Sequence, residues 1–105
     1  MGTYKILLAS RVDSQLLKHT EFLARVSLPA AKRFRDEFAK ILERLETNPL
    51  QFPMETDLGL PEGMYRKALF SKRYKALFSV EGDTVYLDAV VDCRQSGNHN
   101  DSAGN

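Results

Sequence analysis

The sequence predicts an α+β domain: an N-terminal strand, an antiparallel helical hairpin, then a three-stranded antiparallel meander. Three observations predict it. Apolar residues recur every three or four positions from Val12 to Leu45, the spacing of one helix face. Three strand-length runs, Tyr65–Ser71, Tyr74–Glu81 and Thr84–Cys93, are divided by Lys72-Arg73 and by Gly82-Asp83. Between these two halves, residues 48–63 hold three prolines and two glycines, a composition that suits a loop.

Tyr4–Ala9 is a short apolar run and reads as the first strand. Ser10-Arg11-Val12-Asp13 resembles a capping box with Asp in place of Glu, so a helix is expected from Arg11 to Arg25. Its periodic residues are Val12, Leu16, His19, Leu23 and Val26, with Phe22 beside them. Ser27-Leu28-Pro29 starts a second helix, since proline is tolerated in a first turn where its missing N–H has no partner. Ala31, Phe34, Phe38, Ile41, Leu42 and Leu45 then mark one face as far as Glu46, and Asn48-Pro49 ends it. So short a gap between helices folds them antiparallel. The hairpin must bury its stripe, and the meander supplies the apolar face.

Strict alternation in the last run places Val85, Leu87, Ala89, Val91 and Cys93 on the apolar side, and Tyr86, Asp88, Val90, Asp92 and Arg94 on the other. In the middle run Tyr74, Ala76, Phe78 and Val80 oppose Lys75, Leu77, Ser79 and Glu81. The mixed face is where function is sought.

The chain has 105 residues, 43% hydrophobic and 28% charged, which suits one soluble domain. Residues 1–95 are expected to form it, and the polar stretch 96–105 to be a disordered tail. A net charge of +1 makes no global case for nucleic acid, so any anion-binding surface is local. One cysteine permits no internal disulfide and fits a reducing cytoplasm. No run reaches the length of a membrane span.

Metal binding finds no support: Cys93, His19 and His99 lack ligand spacing, and no phosphate-binding glycine loop is present. No cofactor is expected. Cys93 reads as a buried structural thiol and His19 as a helix-face residue. What remains is basic. Arg66, Lys75 and Arg94 are predicted to share the mixed face, where two guanidiniums and an ammonium would hold a phosphate or carboxylate. The pattern alone better suits cations that keep sheet edges from aggregating, and Asp88 and Asp92 on the same face would offset the charge.

With these elements in this order, the chain resembles the RelE/ParE superfamily of bacterial toxins. The residues that carry the resemblance are PAAKRFRDEFAKILERLETNP (29–49), YRKALF (65–70), RYKALFSVEGDTVY (73–86) and VVDCRQ (90–95). It covers residues 4–95. It implies the toxin component of a type II toxin–antitoxin system, of the kind tied to growth inhibition and plasmid stabilization, held inactive by an antitoxin that wraps around it. It also implies one of two targets. RelE-like members cut mRNA in the ribosomal A site, while ParE-like members inhibit DNA gyrase and cut nothing. Arg66, Lys75 and Arg94 fall at or beside basic positions of the nuclease branch. Ala68 replaces a lysine there, and Gln95, Ser96 and Gly97 stand where a tyrosine or histidine is usual, with His99 nearby in the tail. An acid and a base for attack by a ribose hydroxyl are not evident. The reading therefore favours ParE-like action, with the ribosome-dependent nuclease as the alternative and an inactive partner-binding remnant as a third.

Overall fold

The structure is a computed structural model and describes residues 3–56 and 63–94. The expected tail, with Gln95, Ser96, Gly97 and His99, lies outside the described residues. The elements follow the predicted order: β1 (Lys5–Leu8), α1 (Ser10–Val26), α2 (Leu28–Thr47), a single 3-10 turn (Pro49–Gln51), β2 (Arg66–Phe70), β3 (Tyr74–Glu81) and β4 (Thr84–Asp92). The strands form one sheet in the order β1-β4-β3-β2. The β2–β3–β4 meander is antiparallel, and β1 pairs parallel with β4, Lys5 opposite Thr84 and Leu8 opposite Leu87.

Local chemistry sets the boundaries. Ser27 caps α2, its Oγ accepting from the Ala30 N–H at 3.2 Å, with proline in the first turn. The capping box expected at Ser10 does not form. Ala9 is the cap residue of α1, no side chain caps it, and Ser10 already lies within the helix. Glu81 opposite Thr84 closes a two-residue turn in which Gly82 has φ +60°, a conformation glycine adopts without steric cost. At the β2–β3 connection Ser71 (φ 49°) and Lys72 (φ 70°) take left-handed backbone without glycine. Glu37 Oε1 on α2 accepts the Ser71 N–H at 2.7 Å and ties that turn to the hairpin.

The helices cover one face of the sheet. Phe34 and Tyr74 meet edge to face at 4.7 Å between centroids, and Phe34 packs on Phe70 at 5.3 Å. Val12, Ile41, Leu45, Ala76, Phe78, Val85, Leu87 and Val90 complete this core. Phe34 and Phe38 are buried in it, whereas Phe22 is half exposed beneath the Arg73 guanidinium.

Strict alternation fails in β4. Leu77 pairs with Ala89 and Phe78 with Leu87, so Asp88 is an extra residue, a β-bulge. Side chains before it keep the expected faces, Val85 and Leu87 toward the helices. After it the parity reverses. Val90 opposite Ala76 and Asp92 opposite Tyr74 turn toward the helices, and Ala89 and Val91 join Leu77 and Lys75 on the far face. The expected grouping of Ala89 and Val91 with Leu87, and of Val90 with Tyr86, is corrected accordingly, and Cys93 and Arg94 lie past the end of β4.

The short β1 leaves β4 without a strand neighbour beyond Leu87. Helix α1 takes that place with three side chains spaced four apart. Arg11 Nε donates to Asp88 O at 2.8 Å, Gln15 Oε1 accepts the Val90 N–H at 2.8 Å, and His19 Nε2 donates to Val90 O at 3.1 Å. A helix ridge thus satisfies backbone groups that a fifth strand would otherwise take.

Candidate functional site

The far face of the sheet is built from Tyr65, Lys67 and Leu69 beside β2, Lys75 and Leu77 on β3, and Asp88, Ala89 and Val91 on β4. Its geometry departs from the expected cluster. Arg66 pairs with Phe78 and so has the parity of the core-facing Ala68 and Phe70; Lys67 and Leu69 share the face of Lys75. Arg66 Nη1 donates to Phe52 O at 2.6 Å. Lys75 keeps its predicted face but is 4% exposed, with its Nζ 2.6 Å from Glu55 Oε1. Arg94 lies past the end of β4, in the helical turn after Asp92, so strand alternation does not place it with Lys75; its side chain is 60% exposed and its Nε lies 3.8 Å from Asp92 Oδ1. Asp88 and Asp92, expected together, are separated by the reversal. The structure brings none of the three predicted cations into contact with another. Each has an internal partner instead.

Glu55 reaches Lys75 because residues 53–55 lie against β2. Lys67 N–H donates to Pro53 O at 2.9 Å, Glu55 N–H donates to Tyr65 O at 2.8 Å, and Met54 bridges to Arg66. The stretch expected to be loop therefore seals the β2 edge and carries a carboxylate onto the far face. Sequence offered no local signal for this pairing, since the two residues stand twenty positions apart.

A second constellation forms around the bulge. Asp88 Oδ2 accepts from Arg11 Nη2 and from the Tyr65 hydroxyl, each at 2.7 Å. The hydrogen bond to Asp88 holds the Tyr65 phenol above its ordinary range, so Tyr65 stays protonated and donates. Burial likewise pushes the Cys93 thiol up. Cys93 is half-buried just past the end of β4, its N–H donating to Arg73 O at 2.6 Å. Among the described residues no group of His, Cys, Asp and Glu is placed to hold a metal ion, and no helix is long and apolar enough to cross a membrane.

The far face thus carries a neutralised lysine and a tyrosine held as a donor. The sequence model described as the ParE toxin of the type II toxin-antitoxin system, parDE, matches residues 6–97, nearly the whole chain. The chain belongs to the ParE toxin family. This ParE-family member has the fold its superfamily resemblance implied, and the match names it a toxin of a type II system. No curated protein matches it significantly.

Proposed function

We propose that this ParE-family toxin acts by inhibiting DNA gyrase, without cutting RNA, and that a cognate antitoxin neutralises it in the cytoplasm. One observation carries the choice of target. Lys75, the residue a nuclease would use to stabilise a phosphate from the middle strand, is enclosed with Glu55 at 2.6 Å and has no free charge to offer. Arg66 is similarly engaged with a backbone carbonyl. Of the three predicted site residues, Arg94 is the accessible one, and we assign it to target contact. Arg66 and Lys75 serve the architecture of the face.

For the antitoxin we assign the apolar cleft between the helices. It has a volume of about 300 Å³ and is lined by Leu16, Leu17, Thr20, Phe34, Arg35 and Phe38. Leu17 is 59% exposed at its rim, which suits an amphipathic helix laid into the groove. Binding to the native state raises the toxin's melting temperature by mass action.

The deciding experiment pairs two assays on the purified toxin. Loss of negative supercoiling by gyrase, with intact mRNA in a primer-extension assay on translating ribosomes, supports the reading. New ribosome-dependent 5′ ends with unimpaired gyrase overturn it in favour of the nuclease. Inactivity in both assays, together with normal growth on induced expression, leaves a partner-binding remnant. Arg94→Ala is expected to weaken gyrase inhibition while the melting temperature stays near that of the wild type.

A further inference from the structure

The sheet has two edges, and they are treated differently. The β2 edge is sealed by residues 53–55. Among the described residues, no segment pairs with the β1 edge. Lys5 N–H bonds to Asp83 O and Ala9 N–H to Leu87 O, both 2.9 Å, so the odd-numbered residues of this strand face β4. The parallel ladder alternates, and the N–H and C=O groups of Ile6 and Leu8 therefore point away from the sheet. Proteins usually blunt such an edge with charge, proline or a bulge. Here the strand Lys5–Leu8 has one charge, at its start, and Leu7 and Leu8 are 44% and 42% exposed. Tyr86, paired with Leu7 on the same face, is 41% exposed.

We propose that this edge pairs antiparallel with the β1 edge of a second copy of the chain, about a two-fold axis through Leu7. The register follows from elimination. Outward-facing residues must form the hydrogen-bonded pairs of an antiparallel ladder. An axis through Ile6 would pair Leu8 with Tyr4 of the other copy, but the Tyr4 N–H is already bonded to Glu46 O at 2.7 Å. An axis through Leu8 would pair Ile6 with Ser10, where the chain has turned into α1. An axis through Leu7 pairs Ile6 with Leu8 twice, which uses every outward group of both residues. It sets Leu7 against Leu7 with the two Tyr86 rings flanking, and it sets Lys5 against Ala9, so no like charges face each other. The contact is isologous and closes at two copies. With four-residue strands it is small, and self-association rises with concentration.

Cross-linking tests the register. In an antiparallel ladder the two Leu7 Cα atoms, a non-hydrogen-bonded pair, sit about 4.5 Å apart, within disulfide range, whereas the two Leu8 Cα atoms lie beyond the roughly 7 Å limit. In a Cys93→Ser background, Leu7→Cys is expected to form a disulfide-linked dimer on mild oxidation and Leu8→Cys is not. If Cys93→Ser does not fold, the same variants are made with Cys93 retained and the unmodified chain serves as the blank. Sedimentation of the uncross-linked chain should show mass rising with concentration, and Leu8→Pro, which removes an outward N–H, should abolish the rise. Equal cross-linking at both positions, none at Leu7 in a folded protein, or a concentration-independent monomer overturns the proposal. So does a Leu8→Pro variant that still associates.

Discussion

Tyr65, just before β2, and Asp88 on β4 lie on opposite sides of β3, yet the phenol reaches across to donate to the carboxylate at 2.7 Å. Arg11 holds the same oxygen from the other side. One bulged residue therefore ties together the start of α1, the start of β2 and the middle of β4. Removing the donor with Tyr65→Phe should cost about 1 kcal/mol in urea unfolding. Arg11→Ala should cost less than Tyr65→Phe, because its side chain is 59% exposed and solvent screens the ion pair.

The same bond has a pH signature. The folded state holds the Tyr65 phenol above its ordinary value of 10.0, chiefly because ionisation would break the hydrogen bond to Asp88. A folded value raised above the unfolded one contributes stability that is fully present below pH 10.0 and is lost as pH rises through the folded value. The stability gap between wild type and Tyr65→Phe should therefore close in alkali. Phenolate absorbance should show one tyrosine titrating late in the wild type, and that step should vanish in the variant.

Lys75 and Glu55 are both nearly inaccessible, with side-chain exposures of 5% and 0%. Breaking such a pair from one side strands a buried charge and should cost about 3–5 kcal/mol, seen in Lys75→Met or Glu55→Leu. Replacing both with Lys75→Met and Glu55→Leu should cost clearly less than the sum of the single changes. Additive losses in the cycle would show that the two charges do not depend on each other.

Val90 relies on α1 for both of its sideways backbone groups. His19→Ala should leave its carbonyl without a donor, and Gln15→Ala its N–H without an acceptor. Each should cost about 1–3 kcal/mol, and amide exchange at Val90 should accelerate in Gln15→Ala.

Burial raises the Cys93 thiol, so little thiolate forms at neutral pH. Alkylation of the native protein should be slow and should quicken on unfolding in denaturant. Native and unfolded rates that coincide at neutral pH would contradict the enclosed position.

Helix α2 and the meander were legible because their signals are local: a four-residue apolar rhythm, a serine-proline start, a glycine where the backbone turns left-handed. The bulge was not, although the run Leu87-Asp88-Ala89-Val90-Val91 carries its trace. Small and apolar residues stand side by side there, and alternation cannot place both Val90 and Val91. Reading strict alternation through that point, and on past the end of β4 at Asp92, assembled Arg94 into a cluster that the chain does not make. Arg66 was misassigned for a different reason, since its face depends on register with β3 rather than on its own neighbours. Glu55 was invisible as a partner for Lys75 because a proline-rich stretch gives no periodicity from which to infer pairing. The Arg11, Gln15 and His19 ridge was concealed by its job: the backbone groups it binds are left over only because β1 is short, which helix periodicity does not reveal.

The pairing of β1 with β4 also sets a schedule. Lys5 meets Thr84, seventy-nine positions later in the chain, so β1 has no mate on a translating ribosome until β4 is made. At typical elongation rates that wait is roughly 4–16 s, during which the helical hairpin can form but the sheet cannot close. The sheet of the nascent polypeptide thus closes only once β4 has been made. Any truncation that removes β4 takes β1 out of the sheet as well.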